Sequence, residues 1–385
     1  MLQASSLQMG SLELSASAAI GLSVCNLIVW GVWPFLRVQC SLEGPSFTIL
    51  YFLGQFLAAL FLSLALSPSA AAWAAPWLEC PADSWRVAVL VFGGGCVGNA
   101  DFLCSLAMSR VDFAIAFPVY AGLALGLGST LVYFIDREGN ASLLFSGVAF
   151  ALLAILALAA AEAQPPLGHD DGHGPVSSPL HAEGAELREV KIAAASDDDD
   201  GGGGDAKKKK KSKQRWVWVC FFCGLVGSLW CPLSSLGRAA TGVTNPLVAL
   251  CIFQLGQLSS VPLQCCYYSL VLDVVEPHNR LLHDATARDP VVFFLHIARA
   301  SRRDVLIALG TGSLVGIGFS IFFVTSSSIN PTVALAIASC EPLMTIFMGV
   351  CVSNNLRLAT RTTKALYAAT TCCFAAAIAL LALAV

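Results

Sequence analysis

Ten stretches of about twenty mostly apolar residues, joined by short polar connections, constrain this chain more than any other feature. A helix of that length rises 1.5 Å per residue and covers the ~30 Å hydrocarbon core of a bilayer. The stretches lie near residues 17–35, 46–67, 87–109, 112–135, 142–163, 216–236, 246–272, 304–325, 331–352 and 363–384. Charge follows the same division. Only 12% of the 385 residues are Asp, Glu, Lys or Arg, against about a quarter in a soluble domain. Eighteen of those charges fall between Gln164 and Gln214, leaving the flanking sequence almost uncharged. The mean hydropathy of +0.73 therefore excludes a soluble fold, and the net charge of −3 averages two unlike parts. The expected fold is an all-α integral membrane protein of ten transmembrane helices.

Five stretches precede the charged island and five follow it. The island, 164–214, joins Pro, Gly and Ser to the acidic run Asp197 to Asp200, the glycine run Gly201 to Gly204 and the basic run Lys207 to Lys211. Such a composition buries too little apolar surface to offset ordering entropy, so a disordered cytosolic linker is expected. The chain then divides into an N-terminal five-helix repeat (1–163), the linker (164–214) and a C-terminal five-helix repeat (215–385). The first 16 residues carry no Lys or Arg, so the first apolar stretch lacks the basic start of a signal peptide and reads as a retained helix.

Three sequence matches, in the same order, argue for duplication. Trp33-Pro34 near the end of the first helix has a counterpart in Trp230-Cys231-Pro232 of the sixth. Leu53-Gly54-Gln55 in the second recurs as Leu255-Gly256-Gln257 in the seventh, and Val97-Gly98 in the third as Val315-Gly316 in the eighth. Internal repeats with Gly- or Pro-interrupted helices are the pattern of secondary transporters, whose substrate site lies near the midplane between the halves.

Basic residues set the orientation. Connections after helices 1, 3, 5, 7 and 9 hold 19 of the 22 Lys and Arg residues, and the other side holds only Arg86, Arg137 and Arg238. The island is thus expected in the cytosol and both termini outside, in the plasma membrane in preference to an internal one. Asn140-Ala141-Ser142 is a glycosylation sequon on the expected outer side, too close to two spans to be used.

Ionisable groups deep in a membrane are the best pointers to function, because each costs about 2.5–3.5 kcal/mol to insert. Glu341 stands ten residues into the ninth segment and Asp101 just past the middle of the third, beside Asn99. Neither has a Lys or Arg nearby in its own helix. Each either titrates against a proton or substrate, or bonds a backbone carbonyl at a helix break, as Pro342 after Glu341 would allow. Pro118, with Gly122, Gly126 and Gly128 after it, and Pro342 mark hinges or sites of close helix packing. Phe117 and Tyr120 line a site or anchor packing. Trp30, Trp33 and Trp230 gate a pathway or form an interfacial aromatic belt, the commoner use.

Other chemistries find little support. Most of the fifteen cysteines lie in apolar runs and read as packing residues. Cys220-x-x-Cys223 is half a zinc site that no second pair or helical His completes, so no metal is expected. Gly201 to Lys207 resembles a phosphate loop only loosely, since no Gly precedes the Lys and no Ser or Thr follows it. Intramembrane acyl transfer would want a positioned His, and no clear span contains one. The chain is not expected to be an enzyme, and no cofactor is expected.

On these residues the chain resembles the drug/metabolite transporter superfamily, built from ten helices in two five-helix repeats. The resemblance is carried by Gly98-Asn99-Ala100, the stretch Gly128 to Asp136, Leu144-Phe145-Ser146-Gly147-Val148, and Asn330-Pro331-Thr332 through Glu341-Pro342 and Gly349. In its first half and in Trp33-Pro34 it is similar to the plant ureide permease group. Phe117-Pro118-Val119-Tyr120 departs from that group's polar, acid-containing start of the fourth helix. The resemblance implies a cavity lined by helices 3, 4, 8 and 9. It also implies a proton-coupled carrier of neutral nitrogenous heterocycles such as allantoin or uracil. The alternatives are a nucleotide-sugar or other drug/metabolite carrier, or a non-transporting membrane scaffold. Expected partners are a small-molecule substrate, protons, the lipid bilayer and, as an option, a second copy in a homodimer; nucleic acid is not among them.

Overall fold

The computed structural model describes residues 14–42, 44–67, 69, 73–74, 84–108, 110, 113–137, 139–162, 204–241, 245–275, 290–351 and 360–384. Among them every regular element is a helix. In chain order these are α1 (Ala16–Val38), α2 (Gly44–Ala65), α3 (Ser84–Met108), α4 (Phe113–Asp136) and α5 (Ala141–Glu162), then α6 (Gly204–Gly227), α7 (Trp230–Thr241) and α8 (Pro246–Val275). The chain ends with α9 (Pro290–Arg299), α10 (Arg302–Ser328), α11 (Pro331–Ala338), α12 (Pro342–Cys351) and α13 (Arg361–Ala382). Nine spans among the described residues are long and apolar enough to cross a membrane. The protein is an integral, multi-pass membrane protein. Large apolar side chains such as Phe61, Phe134, Leu156 and Trp218 remain exposed on the bundle exterior, where lipid solvates them.

Two segments differ from continuous helices. The stretch expected to span 331–352 is two short helices, α11 and α12, separated at Ser339 to Glu341. Pro342 has no N–H to continue the α-helical ladder. The bonds around it tighten to a three-residue step: Cys340 N–H to Ile337 O (3.1 Å), Glu341 N–H to Ala338 O (3.2 Å) and Met344 N–H to Glu341 O (2.9 Å). The sixth expected segment breaks at Ser228 and Leu229, between α6 and α7, just before Pro232. Upstream, α6 begins at Gly204, inside the stretch expected to be linker; lysine is a good helix former, so the run Lys207 to Lys211 is compatible with that start. Residues 164–203 of that stretch lie outside the described residues.

Glycines set the closest helix crossings. A Cβ on Gly54 of α2 would strike the Leu309 carbonyl of α10, and one on Gly312 of α10 would strike the Tyr51 carbonyl of α2. The α3–α8 crossing repeats the design: Gly94 faces the Phe253 carbonyl and Gly256 faces that of Val91. In both, a second glycine one turn on continues the contact, Gly316 against Gln55 and Gly98 against Gln257. These are small-xxx-small pairs that let backbones approach to van der Waals contact. They fall on the two motif pairs that the sequence repeats, Leu53-Gly54-Gln55 with Leu255-Gly256-Gln257 and Val97-Gly98 with Val315-Gly316.

Polar links fasten the two ends of the bundle. At one end Asp304, at the start of α10, accepts from the Ser41 N–H and hydroxyl (2.8 Å each), and Arg37 donates from Nε to Ser105 Oγ at 2.8 Å. The Cys40 thiol there points to the Asp304 carbonyl at 3.5 Å; burial pushes its pKa up, so it stays protonated. At the opposite end Ser235 donates to Asp136 (2.9 Å), Arg238 to Ser326 (2.5 Å) and the Asn140 N–H to Ala384 O (3.0 Å). The first end gathers Arg37, Arg215, Arg299, Arg302 and Arg303, and the second Arg137 and Arg238.

Candidate functional site

At the centre of the bundle α1, α2, α3, α4, α7, α10 and α11 enclose a cavity of about 40 Å³. Its wall toward the basic end is polar. Asp101 of α3 accepts two phenol protons, from Tyr120 of α4 onto Oδ1 (3.0 Å) and from Tyr51 of α2 onto Oδ2 (3.3 Å). Glu341 and Ser339 enter from the break between α11 and α12. The remaining walls are aromatic: Trp30, Trp33, Trp230 and Phe319. None of the described lining residues is Lys or Arg.

Local sequence explains why these groups meet. Gly31 of α1 has no Cβ to collide with the Glu341 carbonyl or the Met344 side chain, so α1 presses against the break and fixes where Glu341 stands. Gly227, the last residue of α6, leaves room for the Tyr120 ring, which a Cβ there would approach to 2.9 Å. Tyr51 is stacked on Phe47 (5.4 Å) and tilted against Trp33 (5.7 Å). Trp230 packs edge-on against Phe322 (4.9 Å), Phe319 (5.4 Å) and Trp30 (6.1 Å), closing the cavity on the side away from the basic end.

Asp101, Glu341, Tyr120, Trp33 and Trp230 all line this one cavity. The three tryptophans are 4–8% exposed, so they are cavity walls and not an interfacial belt. Phe117 is buried behind the wall, against Trp33 (6.3 Å) and Tyr120 (6.4 Å). Gly122 packs α4 on Ile155 of α5, and α4 runs unbroken through Pro118. Asn99 lies elsewhere: its Oδ1 accepts from Tyr267 of α8 (2.7 Å) and its Nδ2 donates to Gly95 O (2.8 Å), on an outer face of α3. Pro342 is buried at the break that presents Glu341.

Sequence reasoning missed Tyr51, Phe319 and Arg37. Tyr51 and Phe319 could have been found from the repeated motifs, because Tyr51 stands three residues before Gly54 and Phe319 three after Gly316. Arg37 reads in sequence as a loop charge. The fold buries it over the Phe47 ring (4.3 Å) and bonds it to Ser105, one helical turn from Asp101. The buried polar side chains with no hydrogen-bond partner among the described residues include the Trp30 indole N–H and the Asn26 amide. Both lie against Gly318 of α10. A buried donor without a partner costs about 1–3 kcal/mol.

Chemically, the site offers carboxyl groups as proton carriers or acceptors, phenol and hydroxyl donors, and flat ring faces. Among the described residues no group of His, Cys, Asp and Glu could hold a metal ion.

Comparison with known proteins gives a consistent picture. No protein-family model matches the chain. Ureide permease 1 of Arabidopsis thaliana is 29% identical over 146 residues, 37% of each chain. Ureide permease 4 of the same plant is 29% identical over 157 residues, 39% of each chain. A probable ureide permease A3 of Vigna unguiculata is 29% identical over 152 residues, 37% of this chain and 40% of its own. The chain thus matches about two fifths of the length of these curated relatives. A solved crystal structure aligns with 94% of this chain and 99% of its own at a TM-score of 0.53 and 13% identity, a likeness of fold alone.

Proposed function

We propose that this protein is a secondary active carrier of a small, polar, nitrogen-rich metabolite of the ureide or oxo-heterocycle class, bound in the central cavity and driven by protons. The observation that carries the reading is the meeting of Asp101 and Glu341 with two tyrosines inside an aromatic box that spans the bundle. Flat neutral heterocycles present ring faces for Trp30, Trp33 and Trp230 and N–H donors for the carboxyl groups. The absence of Lys and Arg from the described lining speaks against a substrate whose phosphate must be neutralised. The relatives, named ureide permeases, favour the same substrate class.

The reading takes the chain as ten spans in two inverted five-helix repeats, 1–163 and 215–385, joined by a cytosolic linker in a plasma-membrane protein. The two matching glycine crossings support that symmetry. So does the pattern of helix packing, in which the α2–α10 contact is mirrored by α8–α3 and the α1–α10 contact by α6 and α7 on α3. An odd number of helices per repeat inverts the second half, and rocking one half on the other exposes the site to each side in turn. Protonation of Glu341 or Asp101 gives the two states their different affinities, which any coupled cycle requires.

The test is uptake of labelled allantoin, uracil, a sugar and a nucleotide sugar in transporter-deficient cells at acid and neutral external pH. The expected result is acid-stimulated uptake of a neutral heterocycle alone. Uptake of the nucleotide sugar instead would overturn the substrate class, and no uptake by surface-expressed protein would overturn the carrier.

A further inference from the structure

A second recess lies on the outside of the bundle, a groove of about 1230 Å³ between α3, α6 and α8. All three walls belong to apolar spans, so the groove opens to hydrocarbon and not to water. Its α6 wall is a single stripe running from Arg215 through Trp218 and Phe222 to Val226, with Leu229 just past the end of the helix. That is ~17 Å of helix at 1.5 Å per residue, longer than the ~15 Å that is half a bilayer core. The groove is therefore deep enough to take an extended acyl chain from one leaflet.

Its polar groups are few and already placed. Asn99 and Tyr267 bond each other across the wall at 2.7 Å and ask nothing of an occupant. Arg215 differs. It is exposed at the basic end of the groove and donates from Nη1 to the carbonyls of Val274 (3.2 Å) and Val275 (3.5 Å) at the end of α8. Those carbonyls hold the guanidinium in place at the mouth of the groove. A planar guanidinium suits the oxygens of a phosphate. A fixed cation at one end of a leaflet-deep apolar groove is complementary to a lipid that carries its negative charge at one end.

We propose that the groove binds one phospholipid with an anionic headgroup, its phosphate on Arg215 and one acyl chain along the Trp218, Phe222 and Val226 stripe. A second copy of the chain fits the groove less well. A two-fold dimer through this face would bring two Arg215 residues to the same depth, like charge against like charge.

The full-length protein, purified into mild detergent, tests this by native mass spectrometry with added phosphatidylserine or phosphatidylcholine. The wild type should retain phosphatidylserine in preference. Arg215→Gln should lose about fivefold of that preference, the contribution of one basic residue near the headgroups, and Val226→Trp, which fills the groove, should lower retention of both lipids. Equal retention of the two lipids by the wild type would overturn the proposal, as would a preference unchanged in Arg215→Gln or a dimer that excludes lipid. The wild-type comparison stands whether or not either variant folds.

Discussion

Asp101 shows how little of a membrane site is visible one residue at a time. In sequence it is an acid beside an asparagine. In the fold the two face different ways, because two residues along a helix are about 200° apart around its axis. Asn99 thus bonds Tyr267 on the outside while Asp101 takes two phenol protons inside. Tyr51, in a different helix, is marked in sequence only by its place three residues before the repeated Gly54, and nothing there ties it to Asp101. Each phenol is expected to matter separately. Tyr120→Phe removes a donor to a buried carboxyl, worth about 1.5–3 kcal/mol for a hydrogen bond to a charged group. Uptake should fall by roughly tenfold or more on that scale. Tyr51→Phe, with the longer contact, should cost less. Initial uptake rates of surface-quantified variants check the order; a Tyr51→Phe defect larger than that of Tyr120→Phe would mean that the 3.0 Å contact is not the one that matters.

Helices were the most legible level, because length and hydropathy alone decide what can span a bilayer. Nine of the ten expected segments appear as spans. The ninth expected segment was readable only in part. Its apolar run does not reveal that Pro342 converts the backbone at 339–341 to three-residue hydrogen bonds and divides it into α11 and α12. Pro34 sits inside α1 without dividing it, so proline alone does not locate a break. Glycine positions carry more, since they say where backbones touch. Gly256→Leu would drive a side chain into the Val91 carbonyl, and overpacking of this kind costs about 1–3 kcal/mol or more. Gly310→Ala meets nothing within 4 Å and should be neutral. Thermal challenge followed by size-exclusion chromatography should show loss of the monodisperse peak for the first and wild-type survival for the second. Gly31→Ala, pressed against Glu341 and Met344, is expected to fold less stably and to lower uptake in the protein that does fold, by displacing the break that presents Glu341.

For the molecule as a whole, a cavity of about 40 Å³ has room for only a few waters, each needing about 10–15 Å³ on the same measure. A heterocycle must enter a state in which the bundle has opened, so the polar ties at its two ends are expected to act as gates. Asp304→Ala removes both bonds to Ser41 at the basic end, and Asp136→Ala removes the bond from Ser235 at the other. Each should shift the balance toward opening at its own end, seen as greater thiol-reagent access to a cysteine placed at Ser339; equal access from both sides in both variants would contradict gating. The central claim is that a proton carried by the cavity acids drives a substrate uphill. Its most direct test is accumulation of a labelled heterocycle by purified protein in proteoliposomes under an imposed gradient, acid outside. Wild type should concentrate the substrate above equilibrium and lose it on adding a protonophore, while Glu341→Gln should at most equilibrate it. Accumulation that ignores both the gradient and the Glu341 substitution would contradict the account.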